Sequence, residues 1–176
     1  MKNTPLLTYA AAAGLLVVSS QAKDVRSPDG RYAIRAEQTI SLIDVTGQEI
    51  FVLARDTSDD LKVEVAWSPD SRHVVVVENY RRGSVITGAW KDEAWHKTLQ
   101  VDHAPIANGD GKLIAEHRQL AGWITPSEVA VKGDMTFSGG AHHHYGYTLA
   151  FRQVPGHLDR GGYEEGQLIG KDYHSL

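Results

Sequence analysis

The chain contains no cysteine. That excludes a disulfide scaffold, a zinc–thiolate centre and a cysteine nucleophile. It also excludes the lipid anchor of a bacterial lipoprotein, which needs a cysteine at the cleavage point. A basic excess is missing as well: 18 Lys and Arg stand against 22 Asp and Glu, a net charge of −4. Nucleic-acid binders usually carry the opposite balance, so nucleic acid is not expected as a partner. Beyond residue 18 no segment approaches the roughly 20 apolar residues of a membrane-spanning helix. Local catalytic signatures are absent too. There is no Gly-x-Ser-x-Gly elbow, no phosphate-binding loop, no Gly-x-Gly-x-x-Gly and no His-Glu-x-x-His. What is present is ordinary for a folded chain. Of 176 residues, 41% are apolar and 23% charged, which suits one globular domain and rules out a disordered or collagen-like chain.

The first 22 residues read as a secretory signal peptide. Lys2 supplies the positive start, Leu6 to Val18 an apolar stretch, and Ser20-Gln21-Ala22 a small-x-small cleavage site before Lys23. A retained anchor is the alternative. The expected product is residues 23–176, a single exported β domain in a bacterial periplasm or secreted. An export product without disulfides fits that compartment.

From residue 31 the pattern is that of strands. Arg31–Arg35, Ile40–Val45, Glu49–Ala54, Leu61–Trp67, Arg72–Glu78, Ser84–Trp90 and Ala94–Val101 are short runs rich in Val, Ile, Leu and aromatics. Turn residues separate them, among them Thr46-Gly47, Ser68-Pro69-Asp70-Ser71 and Arg82-Gly83. Leu61 to Trp67 alternates, which predicts one core face and one wet face. The valines at 74–77 predict a strand covered on both sides. The best helical candidate, Ile106–Ala121, is broken by Asn108-Gly109-Asp110-Gly111.

An internal repeat organises these strands. Ser27-Pro28-Asp29-Gly30-Arg31 returns 41 residues later as Ser68-Pro69-Asp70-Ser71-Arg72. Gly109-Asp110-Gly111-Lys112 is a degenerate third copy. Serine opens such a turn, proline presets φ, aspartate bonds back to the backbone and glycine closes it. Val65-Ala66-Trp67-Ser68-Pro69-Asp70-Ser71 followed by Val74–Val77 resembles the WD40-like repeat of TolB-type β-propellers, and Arg26–Arg35 followed by Ile40–Gly47 resembles a second copy. The resemblance covers residues 25–101. It implies a four-stranded blade per repeat and an envelope protein that works through interactions. Trp123-Ile124-Thr125-Pro126 echoes the motif but arrives 56 residues after Trp67, out of register. A closed propeller needs at least about four blades of 40–45 residues. Removing the leader leaves 154 residues. The expected fold is therefore all-β, made of antiparallel blade-like sheets in an incomplete, unclosed propeller. Residues 25–106 are repeat-like, and a divergent β part, 107–176, covers the exposed edge.

Several residues are candidates for function. Tyr80, Arg81 and Arg82 lie between two strands, where two guanidinium groups and a phenol suit a carboxylate or phosphate. A solvated hairpin in which Gly83 takes a positive φ is the other reading. Trp90 and Trp95 flank Lys91-Asp92-Glu93 and are the tryptophans expected nearest the surface, as an aromatic binding patch. Core packing competes with it. His142 and His144, on one face of a strand about 6–7 Å apart, suit zinc or copper if Asp134, His117 or His157 supplies a third ligand. Exposed strand histidines need no metal, so the expectation is no cofactor, with zinc or copper the alternative. Asp56–Asp60 and Asn108–Gly111 offer oxygen atoms to calcium, although both read equally as turns. Asp102-His103 is no ready dyad, since strand neighbours point to opposite faces.

The expected function is an exported envelope module that binds another envelope protein or a surface ligand, without catalysis. The alternative is a metal-binding protein or metal-dependent hydrolase built on His142 and His144. A fold alone does not choose between them.

Overall fold

Turn-flanked runs of β-branched and aromatic residues become strands throughout the chain. The computed structural model describes residues 16–18, 24–55, 61–100, 111–158 and 164–176. Strand β1 is Leu16–Val18. Then come three antiparallel meanders of four strands each. The first holds β2 (Val25–Arg26), β3 (Tyr32–Ala36), β4 (Thr39–Asp44) and β5 (Glu49–Arg55). The second holds β6 (Lys62–Trp67), β7 (His73–Asn79), β8 (Ser84–Lys91) and β9 (Trp95–Gln100). The third holds β10 (Leu113–Thr125), β11 (Glu128–Phe137), β12 (His142–Leu158) and β13 (Glu164–Ser175). No helix occurs among the described residues. A short parallel pairing, Gln167 with Leu99 and Leu168 with Gln100, ties the second meander to the third. Strand β1 lies on the outer edge of β6, with Leu16 opposite Val65. The strand order is linear, so no barrel closes.

The second sheet is the middle layer. Val74 and Val76 of β7 pack with Ile34, Ile40, Leu42 and Leu53 of the first sheet. Val75 and Val77 turn the other way, into Val129, Val131, Phe137 and Leu149 of the third. All four valines are 0% exposed, as a strand covered on both sides requires. Burying each such side chain is worth about 1.5–3 kcal/mol, so the run is a main anchor of the stack.

One expectation needs correction here. Strand β6 does not have a wet face: Glu64 and Ala66, on the side expected to be solvated, are buried, because β10 lies against that side. Only its first residue, Lys62, stays exposed. The C-terminal part meets the edge of the second meander, where β13 pairs with β9, and it does more than that. It is a third sheet that packs its own apolar face on the face of the second.

The repeated turns are built alike. Ser27 N–H bonds the Tyr32 carbonyl, Tyr32 N–H bonds Ser27 Oγ, and Arg31 N–H bonds Asp29 Oδ1. Ser68, His73, Arg72 and Asp70 repeat the pattern. Both turns need a left-handed residue at their fourth position. Gly30 fills it with φ 72° and Ser71 with φ 59°. Serine is costly there, but its hydroxyl accepts the Asp29 N–H at 3.0 Å and so joins one turn to the next. Trp67 adds a second tie, its indole N–H donating to the Val25 carbonyl at 2.9 Å. In the third sheet the connection between first and second strands is Thr125–Glu128, after Trp123. Trp123, whose ring lies 6.3 Å from that of His73, therefore holds the repeat position. Gly111 and Lys112 precede a first strand and do not. The longer β10, 13 residues against 6 in β6, accounts for much of the 56-residue spacing.

Candidate binding cleft

Strand β10 is the outer strand of its sheet, and an outer strand presents unpaired backbone groups. Here the second sheet satisfies them with side chains. The Asn79 amide donates to the Arg118 carbonyl at 2.8 Å and accepts the Arg118 N–H at 3.1 Å. Glu64 Oε2 accepts the Leu120 N–H at 3.0 Å, and the Arg82 carbonyl accepts the Glu116 N–H at 3.4 Å. Asn79 thus stands in for a neighbouring strand.

Beside this seam lies a cleft of about 380 Å³. Strand β6 contributes Lys62 and Glu64, the end of β7 contributes Asn79, and the β7–β8 turn contributes Tyr80 and Arg81. His117 and Gln119 come from β10, and Asp134 from β11. Tyr80 is half-buried and donates its hydroxyl to Glu78 Oε2 at 2.8 Å. Its N–H closes the turn on the Gly83 carbonyl at 2.7 Å. Gly83 is not in the left-handed region, so the turn does not depend on a positive φ as expected. The carbonyl of Tyr80 faces His117 Nε2 at 3.0 Å, which places the imidazole proton on Nε2. Arg81 and Arg82 are both exposed, and Arg81 lines the cleft.

Two carboxyls in this region are buried. Burial pushes Glu64 above the usual carboxylate range, against the Leu120 N–H, which favours the charged form. Burial raises Glu78 in the same way, opposed by the Tyr80 hydroxyl and the Lys97 charge.

A third buried polar group, absent from the sequence expectations, lies under the seam. Arg118 is 3% exposed, yet its guanidinium is paired with Glu116 at 2.9 Å. Tyr145 donates its hydroxyl to Glu116 and lies 3.4 Å from Arg118 Nε. Burial works to neutralise Arg118, but Tyr147, Tyr145 and Glu116 together hold it more firmly charged. Burial, then the bond to Glu116, raises the Tyr145 phenol well above its ordinary value. The Tyr145 ring lies flat over Gly133, where a Cβ would come within 2.1 Å of it. Alternation along 113–121 is too irregular to single out an inward arginine; the Gly133–Tyr145 pairing emerges only from the β11–β12 register.

The remaining candidates fall as follows. Trp90 is buried at 7% and stacks on His96 at 4.5 Å. Trp95 is half-buried and packs edge-on against Tyr32 and Trp67, at 5.0 and 5.9 Å. The aromatic surface patch expected from this pair is replaced by core packing, because the first sheet covers Trp95. His142 and His144 are exposed on the outer face of the third sheet. His142 Nδ1 lies 3.2 Å from Thr136 Oγ1, and His144 is hydrogen-bonded to Asp134. Among the described residues no group of three or more His, Asp or Glu side chains is placed to hold a metal ion. His117 turns to the Tyr80 carbonyl instead. The side chain of His157, Asp56–Asp60, Asp102-His103 and residues 108–110 lie outside the described residues.

No family model, curated protein or solved structure matches the chain.

Proposed function

We propose that this chain is an exported envelope protein that works as a binding module and takes its ligand in the cleft between the second and third sheets, with Tyr80 and Arg81 as contact residues. The observation that carries this reading is the convergence of residues from four strands and a turn on one concave site of about 380 Å³. Its walls are strands and a tight turn, held by the Asn79 and Glu64 bonds, so the frame of the site is formed before a ligand arrives. The leader-like N-terminus supports export, and the resemblance to TolB-type repeats supports an interaction role in the envelope. Cleavage after Ala22 would take β1 with it and leave β6 as the outer strand.

Two measurements test the reading. Fractionation of bacteria expressing the chain is expected to recover it in the periplasm with Lys23 as its first residue; full-length protein in the cytosol would overturn export. Ligands that raise the melting temperature of wild type are expected to lose that effect in Tyr80→Ala and Arg81→Ala. Unchanged stabilisation in both variants would remove the cleft from the function.

A further inference from the structure

Among the groups lining the cleft, the carboxylates are already engaged and the cations are not. Glu64, 8% exposed, has Oε2 taken by the Leu120 N–H, and Asp134 is bound to His144. The Asn79 amide is used on both sides by Arg118, and His117 Nε2 by the Tyr80 carbonyl. Lys62 and Arg81 have no ion-pair or hydrogen-bond partner among the described residues. Both line the one cleft, and Lys62 is the cross-strand partner of Asn79, two residues before Arg81 in the chain. Lys62 and Arg81 thus put two positive charges, unpaired among the described residues, on one concave surface of a chain whose net charge is −4. Resting on the binding reading above, we infer that the ligand of this cleft is a small organic anion whose carboxylate or phosphate group is held by Lys62 and Arg81.

The geometry gives each group a task. Arg81 offers a planar fork to two oxygens, Lys62 a point charge to a third, and Gln119 an amide to a neutral part of the ligand. The volume suits a metabolite-sized ligand and is too small for a folded partner.

The test is calorimetric titration of the full chain at low ionic strength with citrate, succinate, glycerol phosphate and inorganic phosphate. Glucose and spermidine serve as neutral and cationic probes. Lys62→Ala, Arg81→Ala and their double variant are compared with Arg26→Ala, an exposed cation on the first sheet. Lys62 and Arg81 are exposed, so their variants should fold. Saturable binding of at least one anion is expected, weakened by added salt. Each single variant should bind at least about tenfold more weakly, the double more weakly still, and Arg26→Ala like wild type. Carboxylate-only or phosphate-only binding identifies which anion source the site accepts. Anion binding undiminished in the double variant, or no anion binding while glucose or spermidine saturates the cleft, would overturn the anion assignment and leave the binding reading standing. No saturable binding by any probe would overturn both.

Discussion

Replacing Asn79 tests whether two sheets are joined by a side chain acting as a strand. Asn79→Ala removes two hydrogen bonds to the Arg118 backbone, at 2.8 and 3.1 Å. Each is worth about 0.5–1.5 kcal/mol net, and Arg118 is 3% exposed, so its orphaned N–H and C=O regain little water. The expected loss is about 2–4 kcal/mol. With four tryptophans as reporters, urea unfolding should show the midpoint falling by about 1–2 M at an unchanged slope. Asn79→Asp sharpens the test. A carboxylate keeps the acceptor for the Arg118 N–H but sets a negative oxygen against the Arg118 carbonyl. Protonated, it can donate again. The folded-state pKa of the new carboxyl should therefore lie above its unfolded value. Its contribution is present below the unfolded value and is lost as pH rises through the folded one. Relative to wild type, Asn79→Asp should be weak at neutral pH and recover on acidification. A loss under about 0.5 kcal/mol in Asn79→Ala, or an Asp variant insensitive to pH, would refute the surrogate-strand argument.

Other substitutions follow from the same geometry. Gly133→Ala places a methyl 2.1 Å from the Tyr145 ring, so it should cost about 1–3 kcal/mol and disturb near-ultraviolet dichroism; wild-type stability would mean the ring does not lie there. Ser71→Ala keeps the left-handed strain and loses the bond to Asp29, so thermal unfolding should show a loss of about 1 kcal/mol or more. Ser71→Gly relieves the strain and should lie closer to wild type; the reverse order would contradict the coupling of the two turns. Glu64→Gln keeps an acceptor for the Leu120 N–H without a charge. Burial raises the Glu64 pKa above its ordinary 4.5, so that group's contribution is complete below 4.5 and is lost as pH rises through the raised value. The Gln variant should exceed wild-type stability near pH 7 and converge with it toward pH 4, which denaturant titration across pH would detect. A difference independent of pH would show that burial does not shift this group.

Strand positions were legible because local chemistry fixes them. The expected Leu61–Trp67, Arg72–Glu78 and Ser84–Trp90 match β6, β7 and β8 within one residue at each end. The valine run announced a doubly covered strand, and the Ser-Pro-Asp turns announced equivalent corners. What the sequence concealed depends on contacts distant along the chain. Glu64 alternates like a surface residue and is buried because β10, more than 50 residues later, supplies the N–H that its carboxylate needs. Trp90 and Trp95 flank a charged turn, yet the stack covers them. Tyr80 and Arg81 were singled out from composition alone, but their companions Lys62, His117 and Asp134 come from three other strands. No spacing rule connects those positions.

The third sheet turns a polar face outward, as the pattern along β11 shows. Along that strand Val129, Val131, Met135 and Phe137 face inward, while Lys132 and Asp134 are exposed and Thr136 is half-buried. Across the ladder His142 and His144 extend the outward row, and Lys171 pairs with Glu128 beside it. A further sheet packed on this face would strip water from those charges without offering partners, so it behaves as the polar cap that terminal repeats need. The first sheet has no such row on β4, where Ser41 and Ile43 are as buried as Ile40 and Leu42. The two ends of the stack are therefore not equivalent. Asp134 belongs to both the outward polar row and the cleft, so the same row gives the cleft a polar wall.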